Sequence, residues 1–282
     1  MKTAQFDLHA SIEQRHWWFL GRRRIMQSLV RQVLPPSRDA TIVDVGCGTG
    51  GNIAALANNY RCVGIDTSPD AISYARQRFP DVRFICGQAP HDLGEAMAHG
   101  RMFLLMDVLE HVQDDFALLS TLLAAASPGA YFLVTVPADL SLWSGHDESF
   151  GHYRRYDLQR LQRVWAGLPV TPLLTSYFNA RLYPLIKLSR AASRRRGHSA
   201  GRSGTDFWLP AKPANRLLEE VFAGESRVLG NVLKGQRLQG YHQGVSLVAL
   251  LRRDAGPIAI RSKPADLAAD YFDPARGERT AD

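Results

Sequence analysis

The sequence predicts an α/β protein in which a mostly parallel sheet carries helices on both faces. Two observations lead to this fold class. From Thr41 onward, short apolar runs alternate with helix-compatible segments, which is the element order that a doubly wound parallel sheet requires. The first apolar run also leads directly into a glycine-rich turn, Val43 to Gly51. A glycine turn between a first strand and its helix is typical of the ligand-binding edge of such sheets.

Seven strands follow from apolar runs that are bounded by turn residues. They are predicted at 41–45, 61–65, 82–86, 103–106, 131–136, 170–177 and 244–251. Helices are predicted between them at 51–58, 69–79, 91–98, 114–126 and 157–166. Ser68 and Pro69 suit the N-cap and first turn of the second of these helices. The stretch from Val136 to Gly151 is predicted to be a loop at the carboxyl edge of the sheet.

Two acids flank the glycine turn and indicate the ligand. Asp44 lies two residues before Gly46, and Asp66 ends the next apolar run, 22 residues after Asp44. An acid about 20 residues beyond the turn is placed to bind a ribose diol. A pyrophosphate beside Asp44 would be repelled, whereas the sulfonium and ammonium groups of S-adenosylmethionine would be attracted. The pair therefore favours S-adenosylmethionine over a dinucleotide.

Three motifs in order resemble the class I S-adenosylmethionine-dependent methyltransferases. They are the turn Asp44-Val45-Gly46-Cys47-Gly48-Thr49-Gly50, the acid Asp66, and Asp107-Val108-Leu109-Glu110-His111-Val112. The last is similar to the "LEHV" segment that follows strand 4 in small-molecule members. The resemblance implies a seven-stranded Rossmann-like sheet whose last strand is antiparallel and lies between strands 5 and 6. It also implies cofactor contacts from Asp44, Gly46, Gly48, Gly50, Asp66, Thr67, Gln88, Asp107 and His111.

Two positions depart from the family's pattern. Where the family has an acid after strand 3 to accept from the adenine amino group, this chain has Gln88, whose amide oxygen can still accept. Gly100 and Arg101 replace the usual aromatic-Asp pair before strand 4. The second departure concerns the start of strand 4 and leaves the cofactor prediction unchanged.

The stretch after strand 5 concentrates groups that could carry chemistry. From Leu142 to Tyr156 it holds two histidines, and these with Asp147 are the candidate catalytic residues: His146, His152 and Asp147. Methyl transfer needs the acceptor atom held close to the methyl group and its proton removed when it has one. A histidine can do this near neutral pH, with Asp147 orienting either ring. A structural clamp between His146 and Asp147 is the competing interpretation.

The same stretch resembles a bacterial branch of the superfamily that pairs it with an N-terminal His-Trp-Trp-Phe element, here residues 16–19. The candidate substrate contacts are Trp17, Trp18, Trp143, Arg154, Arg155 and Tyr156. The arginines could hold a carboxylate or phosphate in a bidentate pair. His111 is a weaker catalytic candidate than His146. The histidines and acids of the stretch do not predict a metal site, because acids on separate strand ends are not evident.

The remaining segments define the predicted domain organisation. Residues 1–38 are predicted to be an N-terminal helical lid, 39–177 the cofactor-binding core, 178–240 an insertion between strands 6 and 7, 241–253 the final core strand, and 254–282 a flexible tail. Within the insertion, the Arg-, Ser- and Gly-rich stretch 193–204 is predicted to be mobile.

Composition and charge indicate the cellular setting of the protein and which binding partners its surface could attract. The chain has 282 residues, 45% hydrophobic and 22% charged, with a net charge of +7. Three scattered cysteines and no signal-like N-terminus predict a reducing, cytoplasmic setting. The stretch from Leu158 to Thr205 contains no acid and nine basic residues. That block, mainly its part 178–204, leaves open peripheral contact with anionic lipid at the inner face of a membrane.

The favoured function is methylation of oxygen or nitrogen on a small molecule, and a lipid-linked or glycolipid acceptor at the membrane surface is the alternative. Nucleic-acid modification is disfavoured, because the Pro-Pro-aromatic motif of base-amino methylases is missing after strand 4. A catalytically idle cofactor-binding module is disfavoured by the intact turn and acids. The oligomeric state is left open.

Overall fold

The structure is a computed structural model that describes residues 10–195 and 209–267, together with the backbone of 272–273 and 278–279. Its seven-stranded sheet consists of β1 (Ser37–Val45), β2 (Tyr60–Asp66), β3 (Arg83–Cys86), β4 (Gly100–Met106), β5 (Tyr131–Pro137), β6 (Val170–Phe178) and β7 (Ser246–Arg253). The strand order is β3-β2-β1-β4-β5-β7-β6. Strand β7 pairs antiparallel with β5 and β6, and the other pairs are parallel. The predicted seven-stranded fold class is confirmed.

The helices are α1 (Trp17–Val33), α2 (Gly51–Ala54), α3 (Pro69–Arg78), α4 (Glu95–His99), α5 (Asp115–Ala125), α6 (Gly145–Phe150), α7 (Leu158–Arg163), α8 (Tyr183–Arg195), α9 (Lys212–Ala223) and α10 (Ser226–Leu233). Ser68 caps α3 and accepts from the N–H of Ala71, as its position in the sequence predicts. A 3-10 turn, Leu109–His111, follows β4. Strands β2 and β3 follow on one side of β1, and β4 and β5 follow on the other. The strand order therefore reverses between β1 and β4, and ligands bind in such sheets at the carboxyl ends of the strands beside this point.

Two predicted boundaries are corrected by the structure. Strand β1 begins at Ser37, inside the predicted lid, because Ser37 pairs with Tyr60 before the register shifts toward Thr41. The stretch 136–151 is not wholly a loop, since it contains α6. A capping box forms this helix: Ser144 and Asp147 each accept from the other end of the first turn. The Ser-x-x-Asp signal for it is present in the sequence.

The helix predicted as a lid is part of the core. Ile25, Met26 and Leu29 of α1 are buried in the same apolar layer as Phe222 of α9. At Gly21 an added Cβ would lie 2.6 Å from the Phe222 ring, so the two helices are in close contact. The opposite face of the sheet is covered by α5 and α7. Helices α8, α9 and α10 follow β6 and precede β7 in the chain, in the stretch predicted as an insertion.

Two predictions concern segments near the limits of the described residues. The stretch 193–204 falls outside them except for the last turn of α8. Part of the predicted tail lies against α5: the N–H of Arg261 donates to Ser120 Oγ, and that of Lys263 donates to Asp114, the N-cap of this helix. Within the described residues, no helix combines the length and apolar character needed to cross a bilayer.

Candidate active site

The turn between β1 and α2 needs glycine for its backbone and its packing. Gly46, Gly48 and Gly50 have φ angles of 69°, 53° and 83°, values that residues with a Cβ rarely adopt. A Cβ at Gly46 would lie 2.8 Å from Val108, and one at Gly50 would lie 2.7 Å from Phe84. The turn therefore lies close to the segment after β4 on one side and to β3 on the other.

Asp66 joins the two turns at the carboxyl ends of β1 and β2. Its carboxylate accepts from the N–H of Gly48 and from the N–H of Ser68, both at 2.9 Å. Each oxygen keeps a second lone pair for a ligand. Asp66, Thr67 and the exposed Gln88 line one cavity of about 900 Å³. The predicted ribose-binding acid is thus held rigidly at the cavity wall.

Asp44 is a buried carboxylate that has no hydrogen-bond partner among the residues that the structure describes. It is 1% exposed, and neither of its oxygens has a hydrogen bond within the described residues. The pKa of Asp44 is raised to about 8, mainly by burial; the charge of Arg22 opposes the shift and the charge of Asp66 adds to it. An isolated buried acid is costly unless a cation or donor satisfies it. Asp44 directly precedes Val45 and Gly46, which line the cavity, so an ammonium or sulfonium ligand, with or without water between, fits this position.

The N-terminal segment covers the side of the cavity that contains the glycine turn and Asp66, and two salt bridges hold it there. Arg22 of α1 pairs with Asp107, and its guanidinium lies 4.2 Å from the Trp18 ring centroid. Glu13 pairs with Arg78 and accepts from Thr49 Oγ1 at 2.9 Å. Sequence reasoning missed Arg22 and Glu13 as cavity residues, because only the fold brings them to strands that are far away in the chain.

The other half of the cavity is organised by Asp147. Arg155 donates to both of its oxygens, at 2.8 and 3.0 Å, and Nδ1 of His152 lies 2.9 Å from Oδ1. The Arg155 charge and the His152 contact hold the pKa of Asp147 well below its usual range, against the opposing effect of burial. Asp147 is 0% exposed and does not line the cavity. It therefore orients His152 from behind, and leaves Nε2 of that ring for the cavity side.

Three histidines and a glutamate face this half of the cavity. The rings of His111 and His152 are 4.7 Å apart, and those of His146 and His152 are 6.2 Å apart. Burial lowers the pKa of His146 well below its usual range, so this imidazole is neutral at physiological pH. Glu110 is 0% exposed, and neither carboxylate oxygen has a hydrogen bond within the described residues.

Arg154 and Tyr156, predicted as substrate contacts, are used inside the protein. Arg154 donates to the carbonyls of Leu109, Val112 and Gln113. Tyr156 donates to Asp115 at 2.8 Å. These contacts fasten the stretch after β5 to the segment after β4, and neither side chain lines the cavity.

The predicted site residues divide by their place around the cavity. Those that line it are Trp17, Trp18, Gly46, Gly48, Asp66, Thr67, Gln88, Asp107, His111, His146, His152 and Arg155. Those that do not line it are Asp44, Gly50, Trp143, Asp147, Arg154 and Tyr156. Trp143 is half-buried and donates from its indole N–H to Glu148.

Comparison with known proteins defines the class. A methyltransferase-domain family model matches residues 18–181, more than half of the chain, and the chain belongs to this methyltransferase family. S-adenosylmethionine is the cofactor of that family, so the predicted cofactor class is confirmed. The glycine turn and Asp66 fit this cofactor, as does Asp44, which has no hydrogen-bond partner in the described part of the chain.

Curated relatives are named for small acceptors. The trans-aconitate 2-methyltransferase of Methylobacterium nodulans is 32% identical over 200 residues, covering 67% of this chain and 63% of the relative. That of Variovorax paradoxus is 32% identical over 123 residues, covering 41% and 45%. For several such relatives, the matched stretch spans about half of their length.

A solved structure supports the fold. A methyltransferase in complex with the Haloferax volcanii activator Trm112 has a TM-score of 0.52 at 17% identity, covering 89% of this chain and 98% of that one. At this identity the likeness concerns the fold alone.

Proposed function

We propose that the protein transfers the methyl group of S-adenosylmethionine to an oxygen or nitrogen atom of a small-molecule acceptor. The observation that carries the proposal is a single cavity of about 900 Å³ that has the glycine turn and Asp66 on one side and three histidines on the other. That volume is within the range of small-molecule sites. Relatives named for trans-aconitate support small acids as the first acceptors to test.

The cofactor supplies a methyl group that is already activated by a positively charged sulfur. In this proposal Asp66 and Gln88 bind its ribose and adenine, and Thr67 lies beside them. Asp44 stabilises its cationic amino-acid end, and Asp107 lines the cavity on the same side. His111, predicted as a cofactor contact, lies with the other two histidines and would meet the cofactor from across the cavity. Trp17 and Trp18 cover the ligands from α1. Excluding water in this way strengthens the attraction between the acids and the cation.

The proton of a hydroxyl or ammonium acceptor needs a base in the cavity. We assign this role to His146, which faces the cavity and is neutral because burial lowers its pKa. His152 is the second candidate, and Asp147 positions it through Nδ1. Arg155 lines the cavity, but its guanidinium is engaged by Asp147. In this proposal the acceptor does not touch Trp143, Arg154 or Tyr156, because none of them lines the cavity.

The test is product formation from S-adenosylmethionine and a panel of carboxylic acids, phenols and amines that includes trans-aconitate. We expect S-adenosylhomocysteine and a methylated product in equal amounts with at least one acceptor. His99→Ala is the matched control for His146→Ala, because His99 is an exposed histidine at the opposite, amino-terminal end of β4. Binding of S-adenosylmethionine without any transfer across a broad panel and a cell extract would contradict the enzymatic proposal.

A lipid-linked acceptor is the second candidate, and the cavity mouth favours it. Leu185 of α8 lines the cavity although 59% of it is exposed. Leu188 and Leu217 are 71% and 65% exposed, and Lys187 and Arg190 lie on the same helix as Leu188. Exposed leucines beside basic residues suit an anionic lipid surface.

Sedimentation with vesicles decides between the two candidates. Salt-sensitive binding to phosphatidylglycerol vesicles, absent with phosphatidylcholine and lost in Leu188→Asn, would favour a lipid-linked acceptor. Leu238→Asn is the control, since Leu238 is 98% exposed and lies outside the cavity. No binding to either vesicle leaves the water-soluble acceptor.

A further inference from the structure

We propose that Glu110, His111 and His152 bind a divalent transition-metal cation at the wall of the cavity. One ligand atom of each side chain lies within 4.8 Å of the other two. All three residues line the cavity. Imidazole and carboxylate together suit Zn²⁺, Mn²⁺, Fe²⁺ and Co²⁺.

Glu110 differs from the other two acids near it in having no base paired with it within the described residues. Asp107 is paired with Arg22, and Asp147 is paired with Arg155. Glu110 is 0% exposed and neither oxygen has a hydrogen bond within the described residues. A buried carboxylate without a cation or donor is costly. A bound cation would remove this cost, and the two histidines beside Glu110 supply nitrogen ligands that complete the set.

His152 is oriented as a metal ligand requires. Its Nδ1 is engaged by Asp147 at 2.9 Å, so Nε2 is the nitrogen that remains for a cation. A metal-binding histidine usually donates its other ring N–H to a carboxylate, which fixes the tautomer and the ring plane. Asp147 is in turn fixed by Arg155. The orienting groups expected behind a metal ligand are therefore already in place.

The backbone brings the three ligands together from two distant segments. The N–H of Tyr153 donates to the carbonyl of Glu110 at 2.7 Å, and Arg154 binds three carbonyls of the same segment. Ligands of one ion lie roughly 3–4 Å apart when each is about 2.1 Å from the metal. Binding therefore requires the three side chains to approach by about 1 Å.

Three protein ligands leave coordination positions for a small molecule. Because the three residues line the cavity, an acceptor hydroxyl or carboxylate could take such a position. A metal lowers the pKa of a hydroxyl that it binds. The hydroxyl proton would then pass to His146 as the oxygen–methyl bond forms and the sulfur–methyl bond breaks. This consequence rests on the proposed function, whereas metal binding does not.

The experiment is a metal titration of the full chain without a polyhistidine tag and without cofactor or acceptor. After chelation, the protein is titrated with Zn²⁺ and with Co²⁺ by calorimetry and visible absorption. We expect one tight equivalent, with Co²⁺ absorption typical of nitrogen and oxygen ligands. Glu110→Gln and His111→Gln should each weaken binding at least tenfold. The controls Glu95→Gln and His99→Gln, both exposed on α4, should bind as wild type does.

Two results would overturn the proposal. One is wild-type protein that binds no equivalent beyond that of the double variant Glu110→Gln/His111→Gln. The other is a Glu110→Gln variant that keeps wild-type affinity. Thermal unfolding of the metal-free variants shows whether they are folded. Titration of the metal-free wild-type protein with S-adenosylmethionine tests the proposed cofactor site separately from the metal.

Discussion

Asp44 and Asp147 are both buried beside the same cavity, but their surroundings are opposite. Asp147 accepts from Arg155 and contacts His152, whereas Asp44 has no hydrogen-bond partner within the described residues. Accordingly, the pKa of Asp147 is lowered and that of Asp44 is raised to about 8. The wall behind His152 is therefore complete within the protein alone. The side with the glycine turn leaves Asp44 without a hydrogen-bond partner within the described residues, and in the proposed function the positive charge of the cofactor takes that place.

The largest effect on stability should come from removing the carboxylate that pairs with Arg155 and His152. Asp147→Ala would leave the Arg155 guanidinium buried without its carboxylate, which costs about 3–5 kcal/mol. We expect the free energy of unfolding, measured with urea, to fall by that amount. Since the folded pKa of Asp147 is depressed, its stabilisation is present above the unfolded pKa and is lost as pH falls below about 4. An Asp147→Ala variant with wild-type stability at pH 7 would show that the pair is weak.

His146→Ala tests whether this half carries the chemistry. Loss of a general base typically lowers turnover by about 10²–10⁴-fold. We expect that loss in kcat with the best acceptor, while calorimetry shows unchanged affinity for S-adenosylmethionine. His99→Ala is the matched control. Full turnover in His146→Ala would remove the base from this residue and direct attention to His152.

Asp66→Ala tests the side of the cavity that contains the glycine turn. The variant loses the acceptor of the Gly48 and Ser68 N–H groups and the predicted ribose contacts. Charge-assisted hydrogen bonds contribute about 1.5–3 kcal/mol each. We expect affinity for S-adenosylhomocysteine to fall by roughly 10–100-fold in a calorimetric titration. Unchanged affinity would place the ribose elsewhere.

Asp44→Asn sharpens the comparison, because we expect it to raise the stability of the folded protein whereas Asp147→Ala lowers it. A raised folded pKa means that the folded protein binds this proton more tightly than the unfolded chain does. Wild-type stability in the absence of ligand should therefore decline as pH rises from about 4 to about 8. Asn cannot ionise, so at pH 8 we expect Asp44→Asn to be more stable by about 2–5 kcal/mol. Thermal melts at pH 5 and pH 8 would show no difference between the two proteins if Asp44 is not strained.

The side of the cavity that contains the glycine turn and Asp66 could be predicted from the sequence because its parts are local, and its binding of the cofactor stays a prediction. The glycine turn, Asp44 and Asp66 follow directly from strand ends and from the backbone angles that only glycine adopts readily. The seven strands were predictable for the same reason, since each apolar run is bounded by turn residues. Helix α6 was missed although Ser144 and Asp147 carry its capping signal.

The other half depends on contacts between distant segments, which one sequence does not reveal. Glu110 and His152 are 42 positions apart and meet only because Arg154 and Tyr153 fasten their segments together. The prediction of no metal site considered the acids of the stretch after β5 and did not include Glu110 or His111. Arg154 matched the chemistry of anion binding, but it satisfies backbone carbonyls instead.

The central claim is that the glycine turn and its two acids bind a cationic methyl donor. The direct measurement is calorimetry of S-adenosylmethionine binding at pH 7 in two buffers of different ionisation enthalpy. One molecule should bind and release a fraction of a proton, because the ligand's positive charge ionises Asp44, and Asp44→Asn should abolish that release. No binding of S-adenosylmethionine, together with binding of a nicotinamide or flavin nucleotide, would contradict the account.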